Sequence, residues 1–146
     1  MLKNLLVHIP SERSVRPIAD SAISLAIGRA AHLDAVSIGF ETANVGFTLD
    51  GGAAFAAAFE MNHEDAVARA NAALSVFEAE ARNAGIAYGR QLITGLPADA
   101  EAAAGCLARL YDLTIALQPE PDRNTADNDV PAQHHRLHTT LRAGRH

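Results

Sequence analysis

The chain has 146 residues, 49% of them hydrophobic and 20% charged, a balance that fits one globular domain and excludes an intrinsically disordered chain. Twelve basic against 17 acidic residues leave a net charge of −5, which argues against binding a phosphate backbone and so against a nucleic-acid partner. The single cysteine, Cys106, excludes an internal disulfide framework and predicts a cytosolic protein.

No apolar run approaches the ~20 residues of a membrane span, so no membrane partner is expected. The opening run Leu5-Leu6-Val7 is interrupted by His8 and ended by Pro10, too short for the core of an export signal. Charge is unevenly spread. Residues 131–146 carry three arginines, four of the seven histidines and no acid, which leaves residues 1–130 with nine basic and 17 acidic side chains, a net −8. The sequence therefore divides into an acidic body, 1–130, and a basic, His-rich tail, 131–146.

In chain order, Leu5 to Ile9 reads as a buried parallel strand: short, nearly all apolar, and stopped by Pro10. The polar Ser11-Glu12-Arg13-Ser14 is a loop, with Ser14 placed to cap the next helix and Pro17 tolerated in its first turn. Residues 15–31 have helical periodicity. Ile18, Ala22 and Leu25 form one stripe, widened by Ile23, Ile27 and Ala30 to the breadth a helix needs when it lies on a sheet.

Residues 33–40 read as a second strand. The Gly/Ala/Phe-rich stretch 42–60 has no firm period and is expected to be a long loop, or a loop with a short helix. From Asn62 to Ala84 the helical signal is the clearest in the chain: Val67, Ala70, Leu74, Phe77, Ala81 and Ala84 fall on one face, and Gly85 stands where a helix C-terminus favours glycine. Residues 86–94 read as a third strand, 98–110 as a helix with Ala100, Ala103, Ala104, Leu107 and Leu110 available for one face, and 112–117 as a fourth strand. The segment Gln118-Pro119-Glu120-Pro121-Asp122 is stiff and averse to helix. Strands alternating with helices predict a parallel sheet with right-handed crossovers and helices on both faces.

Several of these features resemble the universal stress protein family: the start Leu5-Leu6-Val7, the Ser-Glu-Arg-Ser loop, the Ala-rich first helix, the long helix ending Phe77 to Ile86, and the run from Gly95-Leu96-Pro97-Ala98 through Tyr111-Asp112-Leu113-Thr114-Ile115. The likeness covers residues 1–130 and lies in the order of elements. It implies an α/β, Rossmann-like open parallel sheet, strand order 3-2-1-4, with a fifth strand beyond the fourth, in homodimers or tandem chains. Many members bind ATP through an aspartate ending the first strand and a G-x2-G-x9-G pattern, followed by Ser or Thr, after the fourth, whose backbone N–H groups cradle phosphates.

The chain departs from that pattern at both places. Pro10, followed by Ser11-Glu12, stands at the aspartate position. The segment after the fourth strand has no glycine, two prolines without N–H donors, and two acids that would repel a triphosphate by ~1 kcal/mol per like-charge pair at ~4 Å in water and several times more near a protein surface. Residues 131–146 hold no β-branched apolar run, so the fifth strand is expected to be missing and the chain to be a truncated or half-length member; a frameshift would produce such an end.

The expected function is that of a non-enzymatic, cytosolic stress-response protein without cofactor, acting as a homodimer, by association at a sheet edge, or through a protein partner. An unpaired fourth strand is the reason to expect association. The rival is binding of ATP with magnesium and weak hydrolysis, through contacts around Ile9, Pro10, Ser11, Gly39 and Gln118 at the crevice an open α/β sheet forms where strand order reverses. Ser11 could bind a ligand there, and Arg13 and Arg16 could meet an anion at the first helix's N-terminus or be merely solvated. His8 reads as a satisfied structural histidine and Cys106 as a small buried filler. His134 and His138, at i and i+4, are the metal candidates, but no acid or cysteine stands by to complete a site, and a solvated basic tail is the favoured reading. No Ser-His-Asp order, paired-carboxylate signature or HExxH motif marks a catalytic residue.

Overall fold

The structure, a computed structural model, describes residues 1–42 and 52–120. These form β1 (Asn4–Ile9), α1 (Arg16–Arg29), β2 (His32–Phe40), α2 (Gly52–Ala84), β3 (Tyr88–Gly95), α3 (Pro97–Ala108) and β4 (Leu113–Ile115). The strands make a parallel sheet of order β3-β2-β1-β4, the order anticipated from the sequence. The anticipated loss of a fifth strand, the boundary at residue 130, and the tail with His134 and His138 lie outside the described residues.

Alternation within the strands separates the two faces of the sheet. Leu5, Val7, Ile9, Leu33, Ala35, Ile115 and Leu117 point to one face and pack with Ile18, Ala19, Ala22, Leu74 and Phe77 of α1 and α2. On the other face Ile38 and Phe40 meet Ala100 and Ala104 of α3, while Leu6 and Val36 meet Ala108. β1 and most of β2 are buried on both sides, which is why β1 reads as a nearly all-apolar run, whereas the edge strand β3 is only partly covered. Small side chains let the helices come close: an added Cβ on Gly39 would lie 2.5 Å from the Ala66 carbonyl oxygen of α2. Gly85 ends α2 in the left-handed region, φ 69°, with its N–H on Arg82 O at 3.2 Å and the Ile86 N–H on Ala81 O at 3.4 Å, as the sequence indicated.

Several expectations are corrected. Residues 52–60 are the first turns of a 33-residue α2, not loop. Alanine is the strongest helix former, so 52–60 needs no periodic stripe to be helical, and the absence of a period misled. The cap position of α1 is Val15 rather than Ser14, with no side-chain hydrogen bond at that end; Pro17 in the first turn leaves one fewer N–H to satisfy. The sheet-facing stripe of α1 is Ile18, Ala19, Ala22, Ile23 and Ala26, whereas Ile27 and Ala30 face solvent. On α3 the buried residues are Ala100, Glu101, Ala104 and Ala108, so Ala103, Leu110 and Cys106 lie outside the core. Cys106 is exposed, not a buried filler, because it lies on the side of α3 opposite the buried Ala100, Glu101, Ala104 and Ala108.

Candidate functional site

Helices α1 and α2 pack on one face and α3 on the other, so the direction in which successive strands are added reverses between β1 and β4, although the two strands run parallel. That switch point, at the C-terminal ends of the strands, is where open α/β sheets place their ligands. The pairing of β1 with β4 ends at Val7↔Ile115, three residues before Pro10 on one strand and Gln118 on the other.

Ile9 and Pro10 are fully buried at the end of β1. The Ile9 carbonyl accepts a hydrogen bond from the buried Ser37 hydroxyl of β2 at 2.8 Å. Ser11 is half-buried in the following loop, and Gln118 is exposed beyond β4. Gly39 is on β2, two residues past Ser37, with its Cβ direction filled by Ala66. The five anticipated residues thus gather on one rim, four of them on β1 and β4 or their exits.

The residue that joins the two sides of the switch point is Arg13. Its side chain is only 10% exposed. The guanidinium donates to the Gln118 carbonyl at 3.0 Å and to the Glu120 carboxylate at 2.9 Å. It is therefore neither solvated nor disengaged; Arg16 is exposed. The segment after β4 turns a carbonyl and a carboxylate toward this crevice, and Pro119 has no N–H to offer. Acceptors in this place suit a cation or the protein's own arginine better than an anionic phosphate.

A second polar cluster, missed from sequence, closes the end of β2. His63 Nδ1 and the Glu41 carboxylate are 2.6 Å apart. The Asn62 amide spans Thr42, donating to its carbonyl at 2.9 Å, and Arg69 donates to the Phe40 carbonyl at 3.1 Å. These contacts moor the middle of α2 where the sheet ends. Residues 20 to 29 apart supply them, a separation that no local pattern reveals. His8, anticipated as structural, is buried on β1. Among the described residues no group of three or more His, Cys, Asp or Glu side chains could hold a metal ion, and no helix is long and apolar enough to cross a membrane.

Solved structures with this architecture are numerous and nearly full-length. A protein from Burkholderia pseudomallei of the universal stress protein family shares 17% identity, with a TM-score of 0.57, over 97% of this chain and 95% of the other. The universal stress protein UspA from Lactobacillus plantarum superposes with a TM-score of 0.67 at 14% identity, over 98% of both chains. The fold is that of the universal stress proteins. A further universal stress protein, solved in complex with cAMP, has a TM-score of 0.57 at 17% identity over 99% of this chain and 97% of the other. No protein-family model and no curated protein matches the sequence.

Proposed function

We propose that this chain is a non-enzymatic, cytosolic stress-response protein of the universal stress protein kind, which acts by associating with itself or with a protein partner and whose nucleotide crevice is degenerate. The observation that carries the reading is the Arg13 clamp. Arg13 at the switch point is engaged by Glu120 and Gln118, and the segment it holds has no glycine and two prolines without N–H donors. An entering phosphate would have to displace a carboxylate from the guanidinium and then tolerate it as a neighbour.

A second reading keeps an adenine nucleotide, with magnesium and weak hydrolysis. What favours it is the similar universal stress protein solved with cAMP, together with the gathering of Ile9, Pro10, Ser11 and Gln118 on one rim. Thermal unfolding with and without ATP and magnesium separates the two. Under the first reading the melting temperature is unchanged at millimolar ATP. A rise that grows with ligand concentration by mass action establishes the second.

A further inference from the structure

The sheet-facing stripe of α2 does not stop where the sheet stops. Ala66, Ala70, Ala73, Phe77 and Ala81 are buried against the strands. Counting back by fours and threes, the same stripe runs through Asn62 to Phe59 and Phe55. Asn62 is bonded to Thr42, just past the end of β2. The ten residues before it therefore overhang the sheet with the core-facing side of the helix uncovered: Phe55 is 51% exposed and Phe59 54%. From Gly52 to Phe59 the arm reads Gly-Ala-Ala-Phe-Ala-Ala-Ala-Phe, without a charge.

We infer that this arm pairs with the same arm of a second copy of the chain. The inference rests on the reading of self-association above and names its surface. Charge selects the occupant. An uncharged arm followed by Glu60, Glu64 and Asp65, on a body of net −8, offers no cation to nucleic acid or anionic headgroups, and lacks the Lys/Arg face of a helix that lies on membranes. Shape points the same way. Two large rings one turn apart, flanked by alanines, are complementary to themselves: in an antiparallel pair each ring of one arm rests on the small side chains of the other.

Area decides the strength. Two half-exposed phenylalanines leave roughly 200 Å² per copy, and the flanking small residues raise this to about 350 Å². A single arm is too small for a separate partner, but in a symmetric pair it counts twice, giving on the order of 700 Å². That is below the ~1,200 Å² of a standard interface, so the pairing is weak and concentration-dependent.

The test is sedimentation of the full chain from about 10 μM to about 1 mM, the range in which so small an interface is populated. The wild type shifts from monomer toward dimer across it. Phe55→Glu/Phe59→Glu, at exposed positions, keeps its circular dichroism and melting temperature and loses at least about tenfold in association, the size expected for two buried apolar anchors. A double variant that dimerises like the wild type overturns the arm while leaving self-association by another surface intact. A wild type that stays monomeric to the highest concentration overturns the arm pairing, and so does binding of a monomeric wild type to neutral phosphatidylcholine vesicles that the variant loses. Failure of the wider reading is scored separately, by the melting response to ATP. In a Cys106→Ser background, Ala58→Cys on the arm forms a disulfide-linked dimer under mild oxidation, whereas Ser24→Cys on exposed α1 does not. Equal cross-linking at both positions counts against the arm.

Discussion

The two rims of the sheet are tied by different polar side chains. Where the strands begin, carboxylates join neighbouring elements. The Asp112 carboxylate accepts the Lys3 and Asn4 backbone N–H groups, both at 2.9 Å, and these bonds hold it below the usual aspartate range. The Asp34 carboxylate accepts the Tyr111 hydroxyl at 2.6 Å and lies 2.7 Å from His32 Nε2. Where the strands end, the locks cross from one element to another: Arg13 from the β1 exit to the β4 exit, and His63 and Asn62 from α2 to the β2 exit. In an open α/β sheet the second rim is the one available for ligands. Here Arg13 bridges the β1 and β4 exits, donating to the Gln118 carbonyl and the Glu120 carboxylate.

The comparison breaks first at glycine. Gly39→Ala puts a methyl group against the Ala66 carbonyl, which is backbone and cannot rotate away, so α2 must shift. A loss of about 3 kcal/mol in urea unfolding is expected, the upper part of the range for overpacking a tight contact. At the opposite rim an added Cβ on Gly89 would run into the Asp34 carboxylate, a side chain that can swing aside. Gly89→Ala therefore costs less, about 1–2 kcal/mol, chiefly the bonds Asp34 gives up. The same change has an optical readout. Burial, reinforced by Asp34, pushes the Tyr111 hydroxyl up to about 12. In Gly89→Ala the tyrosinate absorbance titrates nearer the ordinary value of about 10. Because the folded value is the higher one, the stability Tyr111 contributes is complete below pH ~10 and is lost as the pH rises through about 12.

Smaller effects sharpen the contrast. Arg13→Ala is expected to lower stability by about 1 kcal/mol, since the arginine is largely buried but its carboxylate partner is partly in water. It should create no response to ATP in the melting assay, because the acceptors it leaves behind still repel phosphate. A large ATP-dependent stabilisation of this variant would mean that the clamp alone, rather than the segment behind it, excludes nucleotide. Asp112→Asn gives the smallest change. Its cost is present above the unfolded pKa of about 4 and disappears as the pH falls through the lower folded value, where the wild-type carboxyl is protonated as well. Denaturation at pH 7 and pH 3 checks the sign.

The elements that could be read ahead of the structure are those with a local physical cause. Pro10 and Gly85 stop β1 and α2 because their backbones do so in any context, and the nearly all-apolar β1 requires cover on both faces. The nearness of the β1 and β4 exits followed from the strand order that the resemblance implied, since strand order decides which loops are neighbours. The first turns of α2 escaped notice because alanine is helical without being amphipathic. The solvent side of Cys106 escaped because a helix of small residues offers several equivalent faces.

By itself, then, the sequence determined the parallel sheet and the poverty of phosphate-binding donors after β4, both of which depend on backbone geometry and local residue type, while the strand order came from the resemblance to the universal stress proteins. Only the tertiary structure decided that Arg13 closes on Glu120, that Asp34 raises Tyr111, and that Phe55 and Phe59 lie beyond the sheet. Each of those depends on residues far apart in the chain meeting, or failing to meet, once the elements have packed, and periodicity carries no record of distance in space.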